Sequence, residues 1–341
     1  MIGKSFKVSF ILILLLGFIF LSIDHDNVGL KPFTKVVKDL SLEDALLKMG
    51  DQKQVHYIDK LHPDSVRFGY EMITLGQIQD GNHKRISKFF VCTDCHNLTA
   101  EVYDLADESP EARIKYGMDK KMPYLPASTF HGLYNKVQWY NGDYSLKYGD
   151  LVKPTRDTLV NAIQLCAVQC SQGRPLEHWE IRSILHYYKS IGIQIRDLNL
   201  SSNELDRLTT YVVNKDKTGI KLLKQKYTER NPATFGELKK PSIEGYSPDL
   251  KKGQYLFENA CLHCHKIGKG ITNFEFDASQ LTLSFFETRL RKSNHFSVPY
   301  IVRKGTYAIT GKKQYMPQYT LEKMSEKQML DLLAYIGGNE K

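Results

Sequence analysis

Two short strings govern what this chain can become: Cys92-Thr93-Asp94-Cys95-His96 and Cys261-Leu262-His263-Cys264-His265. Both read C-x-x-C-H. A chain with 6 cysteines and 11 histidines should contain only about 0.003 such strings by chance. Two thiols three positions apart lie on about one helical turn, where they reach the two vinyl groups of one porphyrin and close thioether bonds. The next residue, a histidine, then lies under the iron as its proximal ligand. A zinc ribbon places its two C-x-x-C pairs a short loop apart, whereas a whole domain's length separates Cys95 from Cys261. A thioredoxin-type dithiol does not call for the trailing histidine. The expectation is two covalent haem c groups, held by Cys92 and Cys95 and by Cys261 and Cys264, with His96 and His265 on the irons.

That chemistry is done outside the bacterial cytoplasm, and the N-terminus agrees. Lys4 and Lys7 form a positive region, and Val8 to Ile23 then runs without a charge to Asp24. A membrane span needs about 17 or more apolar residues, so this segment sits on the border. The exit Phe20-Leu21-Ser22-Ile23 has no pair of small residues for a cleavage site. The expectation is an inner-membrane anchor over residues 8–23 with the rest in the periplasm, a cleaved signal peptide being the alternative. The charge is +9, and four ionised propionates would bring it to about +5. No arginine-rich run or recognition motif accompanies the excess, so it points to an acidic redox partner protein or a membrane surface rather than to nucleic acid.

At 341 residues the length suits two domains or three. Ser247-Pro248-Asp249 opens a helix in which Gly253 and Phe257 stand at i and i+4 ahead of Cys261. Ser325 and Gln328 form a capping-box pattern before Met329, Leu332, Leu333 and Ile336, and Gly337 closes that helix. This resembles the cytochrome c fold, in which a first and a last helix cross and a glycine lets an aromatic of the last helix, here Tyr335, come close. Pro63-Asp64, Gly69 and Ile73 repeat the opening. Ile181, Ile184, Leu185 and Tyr188 repeat the closing helix, up to Gly192. The fold expected is mainly α, with tandem cytochrome c-like helical domains. The divisions are 1–23 as anchor or signal, 24–200 as a first domain with an N-terminal extension, 201–245 as a lysine-rich surface linker, and 246–341 as a second domain.

The sixth iron ligand decides what each haem does. Met316-Pro317, ahead of the last helix, looks like the methionine loop of small cytochromes c, and a soft thioether favours Fe(II). Met324 and Met329 are rivals that fit the core better. In the first domain Met118, Met122, Cys166 and Cys170 all stand open. A Cys166–Cys170 disulfide is the bland alternative. On a regular helix i and i+4 Cβ atoms are about 5–6 Å apart, too far for the roughly 3.5–4.5 Å a disulfide wants, so that pairing needs a broken helix.

The stretch Gln164-Leu165-Cys166-Ala167-Val168-Gln169-Cys170-Ser171-Gln172-Gly173-Arg174-Pro175-Leu176 resembles one in the dihaem thiosulfate dehydrogenases, C-F-x-R-S-M-N-G-K-P-L. Cys166, Gly173, Pro175 and Leu176 match it, Arg174 stands for its lysine, Cys170 for its serine and Ser171 for its methionine. Trp139 to Tyr144 looks like a related group of dihaem cytochromes. The resemblance implies Cys166 as the distal ligand of the first haem. An anionic thiolate favours Fe(III), so electrons would run from the first haem to the second. Arg174 then holds the thiolate charge, binds a propionate or is simply solvated.

Three functions follow as expectations. The first is a membrane-anchored periplasmic electron carrier. The second is an oxidoreductase joining two thiosulfates to tetrathionate, or the reverse, with Cys166 catalytic. The third is a dihaem peroxidase. It would need an open iron position with acid–base groups above it, for which His131 and His178 are nominal candidates.

Overall fold

The computed structural model describes residues 31–338, apart from 82, 231, 291, 293, 310 and 311. The expected anchor or signal, residues 1–23, lies outside the described residues. Among those described, no helix is long and apolar enough to cross a membrane. The protein is mainly α as expected: 49% is helix, and strands are absent among the described residues.

Two pairs of crossing helices carry the plan. In the first half, α3 (Pro63–Leu75) packs on α6 (His178–Ser190); in the second, α9 (Leu250–Leu256) packs on α12 (Glu326–Ile336). Their ends follow the sequence. Pro63 opens α3, and Gly76 stops it in the left-handed conformation at φ 76°. Asp249 caps α9 by accepting from the N–H groups of Lys251 and Lys252 at 3.0 and 3.2 Å. The Ser325 hydroxyl caps α12 by accepting from Gln328 N–H at 3.3 Å. At each crossing a glycine sets the approach. A Cβ on Gly69 would collide with the Ser183 carbonyl and lie 2.8 Å from Tyr187 Cβ; on Gly253 it would collide with the Asp331 carbonyl and lie 2.8 Å from Tyr335 Cβ. Glycine, carbonyl and tyrosine four residues on recur in both halves. The first-half aromatic is Tyr187, a neighbour of the Tyr188 that helical spacing singled out.

A third core joins segments far apart in sequence. α1 (Lys31–Lys38) and α2 (Leu42–Lys48) meet α7 (Ser202–Asn214) and α8 (Thr218–Lys224) through Leu42, Ala45, Met49, Leu208, Val212 and Leu223. Part of the lysine-rich stretch 201–245 thus folds back over the N-terminal extension. α7 begins at the Ser201/Glu204 capping box.

The halves interlock. α4 (Pro110–Lys120) and the loop after it lie on the second domain, whose core includes Ile114 and Tyr124. Tyr255 Oη donates to the Met122 carbonyl at 2.7 Å, Tyr319 Oη to the Tyr124 carbonyl at 2.7 Å, and Tyr124 Oη to Gln328 Oε1 at 2.8 Å. α10 (Gln280–Leu290) and α11 (Val298–Lys304) complete the second half, with α5 (Leu159–Leu165) leading into the first half's cysteine stretch.

Candidate metal centres

The first C-x-x-C-H forms a tight turn. Asp94 Oδ2 accepts from Val91 N–H at 2.8 Å, and His96 N–H donates back to the Cys92 carbonyl at 3.1 Å. The His96 ring stacks on Phe130 with centroids 4.3 Å apart. Its Nδ1 lies 2.6 Å from the Ser128 carbonyl. A carbonyl only accepts, so Nδ1 carries the proton and Nε2 keeps its lone pair. Burial pushes the ring down to about 4, keeping it neutral.

The second motif repeats this. His265 Nδ1 lies 2.6 Å from the Phe274 carbonyl, and the ring stacks on Phe276 at 5.0 Å. Burial lowers its pKa too. Cys261, Cys264, His265 and Met316 all line one cavity of about 820 Å³, walled by apolar groups such as Phe257, Phe276, Ile301 and Leu332. Paired thiols, a neutral ring nitrogen and a thioether around an apolar space of that size suit a haem. Met316 is held by its neighbours: its N–H donates to Thr306 Oγ1 at 2.7 Å, and Thr306 N–H returns a bond to its carbonyl at 2.9 Å. Gly305, at φ 61°, lies against that backbone where a Cβ would collide. Buried Arg303 ties down the rest of the loop through the carbonyls of Tyr319 and Met324, at 3.1 and 2.6 Å. Met324 also reaches this cavity's wall, but both it and Met329 are core residues, 1% and 0% exposed.

Cys92, Cys95 and His96 line a narrower cavity of about 190 Å³, and Cys166 and Cys170 line it with them. Its donor set of paired thiols, a neutral ring nitrogen and further sulfur matches the other. Met122 lines neither cavity, and Met118 packs against the second domain's core. The chain from Cys166 to Cys170 makes one wide turn, Ser171 N–H reaching the Cys166 carbonyl at 2.9 Å. The helix is therefore irregular where a disulfide would require it, yet both cysteines are free thiols. Cys170 draws the donors. Its bond from Cys166, with Tyr315, Tyr140 and Lys147 nearby, outweighs burial and pushes it down to about 7, while the same bond and burial raise Cys166. Tyr140 Oη is 3.8 Å from Cys170 Sγ.

Arg174 is engaged elsewhere, in a fork onto Glu180 at 2.7 and 2.6 Å. Neither His131 nor His178 lines this cavity. Sequence reasoning missed Lys147, which crosses between the halves to the Lys304 carbonyl at 2.6 Å and Gln318 Oε1 at 2.7 Å. Burial pushes it down to about 8. It also missed Tyr315, beside Met316 in sequence, which faces both cavities.

The two attachment turns touch. Cys264 Sγ is 3.7 Å from the Asp94 carbonyl, and Cys95 lines both cavities.

Residues 248–336 match the family model for cytochrome c oxidase, cbb3-type, subunit III. No curated protein and no solved structure matches the chain. The match supports a c-type cytochrome domain over those residues, with haem c as cofactor and haem-based electron transfer as its work. It does not reach Gln164–Leu176, and the likeness to thiosulfate dehydrogenases is not confirmed by it.

Proposed function

We propose that this is a periplasmic dihaem c-type cytochrome, anchored through residues 8–23, that passes single electrons between redox partner proteins. The observation that carries the reading is the contact of the two C-x-x-C-H turns, with Cys264 Sγ 3.7 Å from the Asp94 carbonyl and Cys95 on both cavity walls. Each haem supplies a one-electron Fe(III)/Fe(II) couple when bound. Cys92, Cys95, Cys261 and Cys264 tether the pair, and His96 and His265 present Nε2 to the irons. Met316 would be a further ligand of the second haem and would close that site to substrates. Cys166 would be the corresponding ligand at the first, hydrogen-bonded to Cys170, on which Tyr140 in turn lies. A thiolate shared between Cys166 and Cys170 at the first site and a thioether at the second would set the first potential lower, so that electrons would run toward the C-terminal domain.

That domain is suited to meet an acidic partner. Ile267 and Phe274 are exposed beside the second cavity, next to exposed Lys266 and Lys269. The matched family's name, a subunit of a cytochrome c oxidase, fits a chain that hands electrons on.

The test is haem content by pyridine haemochrome. Two haems per chain are expected, and one after Cys92→Ala with Cys95→Ala. A wild-type chain with one haem overturns the reading. A second reading, a thiosulfate- or tetrathionate-converting enzyme, draws on the placement of both Cys166 and Cys170 at the first cavity. Rapid haem reduction by thiosulfate, lost in Cys166→Ala, would select it over the carrier.

A further inference from the structure

Beside the first cavity lies a second chamber of about 180 Å³ with several charged residues in its wall. The two share Ser128, Lys136, Pro232, Glu322 and Lys323 as walls. Its charges are unequal. Glu101, Glu108 and Glu322 supply three carboxylates, against the cations of Arg113, Lys136, Arg230 and Lys323.

Most of these groups are matched. Glu101 takes Arg113 Nε at 2.9 Å and Nη2 at 3.2 Å, and Asn97 Nδ2 at 2.7 Å. Lys136 Nζ is 3.0 Å from Glu108. Glu322 accepts from Thr234 N–H at 2.9 Å. Arg230 is exposed to solvent; of the cations turned away from it, Lys323 has the weakest match: its side chain is 14% exposed, and its Nζ reaches Glu101 only at 3.5 Å, on an oxygen already bonded to Arg113. Burial pushes it down to about 8. His131 also lines the chamber, and its buried Nδ1 has no hydrogen-bond partner. A buried cation with a shared, distant counter-charge costs free energy unless another anion joins it.

We propose that this chamber receives a propionate of the first haem and that Lys323 is the cation that binds it. The inference rests on the two-haem reading above. A propionate is a carboxylate on a short flexible arm at the porphyrin edge. It brings the missing negative charge to Lys323 and an acceptor to the His131 side of the chamber. Lys323 lies between the methionine loop and α12, so the second half of the chain supplies a counter-charge for the first half's haem. Arg174, the sequence's own candidate for that task, is spent on Glu180.

The test compares full-length holoprotein with Lys323→Met, Lys323→Gln and Lys323→Arg. Haem content is measured first and tests the two-haem reading separately. Both midpoint potentials are then followed spectroelectrochemically at pH 7. A positive charge near an iron favours Fe(II), so the first haem's potential falls in Lys323→Met and returns in Lys323→Arg, while the second haem's stays in place. Lys323→Gln gives the same fall and serves if the methionine variant does not load. Two haems with an unmoved first potential in the neutral variants would overturn the proposal. So would an arginine variant shifted as far as the neutral ones.

Discussion

At the scale of single residues, chemistry here depends on which atom of a side chain is already occupied. His96 and His265 each spend Nδ1 on a backbone carbonyl 2.6 Å away, which leaves Nε2 to the metal with no rotation required. Met316 is held from both sides by Thr306, and replacing it by histidine is expected to lower the potential of the haem in the C-terminal domain, because a thioether favours Fe(II) more than an imidazole does. A redox titration in which that potential holds steady sinks the assignment of Met316. Glu101 offers a pH test. Burial works against its charge, but Arg113 and Lys323 more than offset this and hold its carboxyl at about 2. A depressed carboxyl contributes stability that is complete above the ordinary value near 4.5 and is lost as pH falls toward 2. The expected outcome is that Glu101→Gln flattens that part of the acid-unfolding curve. Arg113→Ala, which strands Glu101 without its main partner, should cost about 3–5 kcal/mol at neutral pH by chemical denaturation.

At the scale of elements, the crossings of α3 with α6 and of α9 with α12 are set by bare backbone. Gly69→Ala and Gly253→Ala force the helices apart, and each should cost at least about 1–3 kcal/mol. An alanine tolerated at either position without loss in denaturant titration would mean that the crossing is looser than described. Helix ends were readable because caps are local: Pro63, Asp249 and Ser325 each act within a turn. The partner of Gly69 was harder to read. Tyr187 and Tyr188 are adjacent and both buried, so periodicity alone does not choose which one faces the glycine. The wide turn from Cys166 to Cys170 left no pattern in the letters, since it alters hydrogen-bond register rather than residue type.

At the scale of the whole molecule, the loop carrying Tyr124 belongs to the first half in sequence and to the second in packing. Cutting the exposed run around Lys239, Lys240 and Glu244 should therefore leave one particle in gel filtration. Separation of the pieces would show that the Tyr124, Tyr255 and Tyr319 contacts are too weak to hold the halves together. The same interlock brings the two cysteine turns into contact and carries Lys147 and Lys323 across the boundary.

Haem attachment was written in the sequence because thioether chemistry needs only five consecutive residues, and the mainly helical build because spacing and caps act over a turn or two. The closeness of the two motifs, the donors around Cys170 and the weakly paired Lys323 were decided by the tertiary structure. Each depends on side chains from segments far apart along the chain, and one-dimensional spacing holds no measure of how those segments pack.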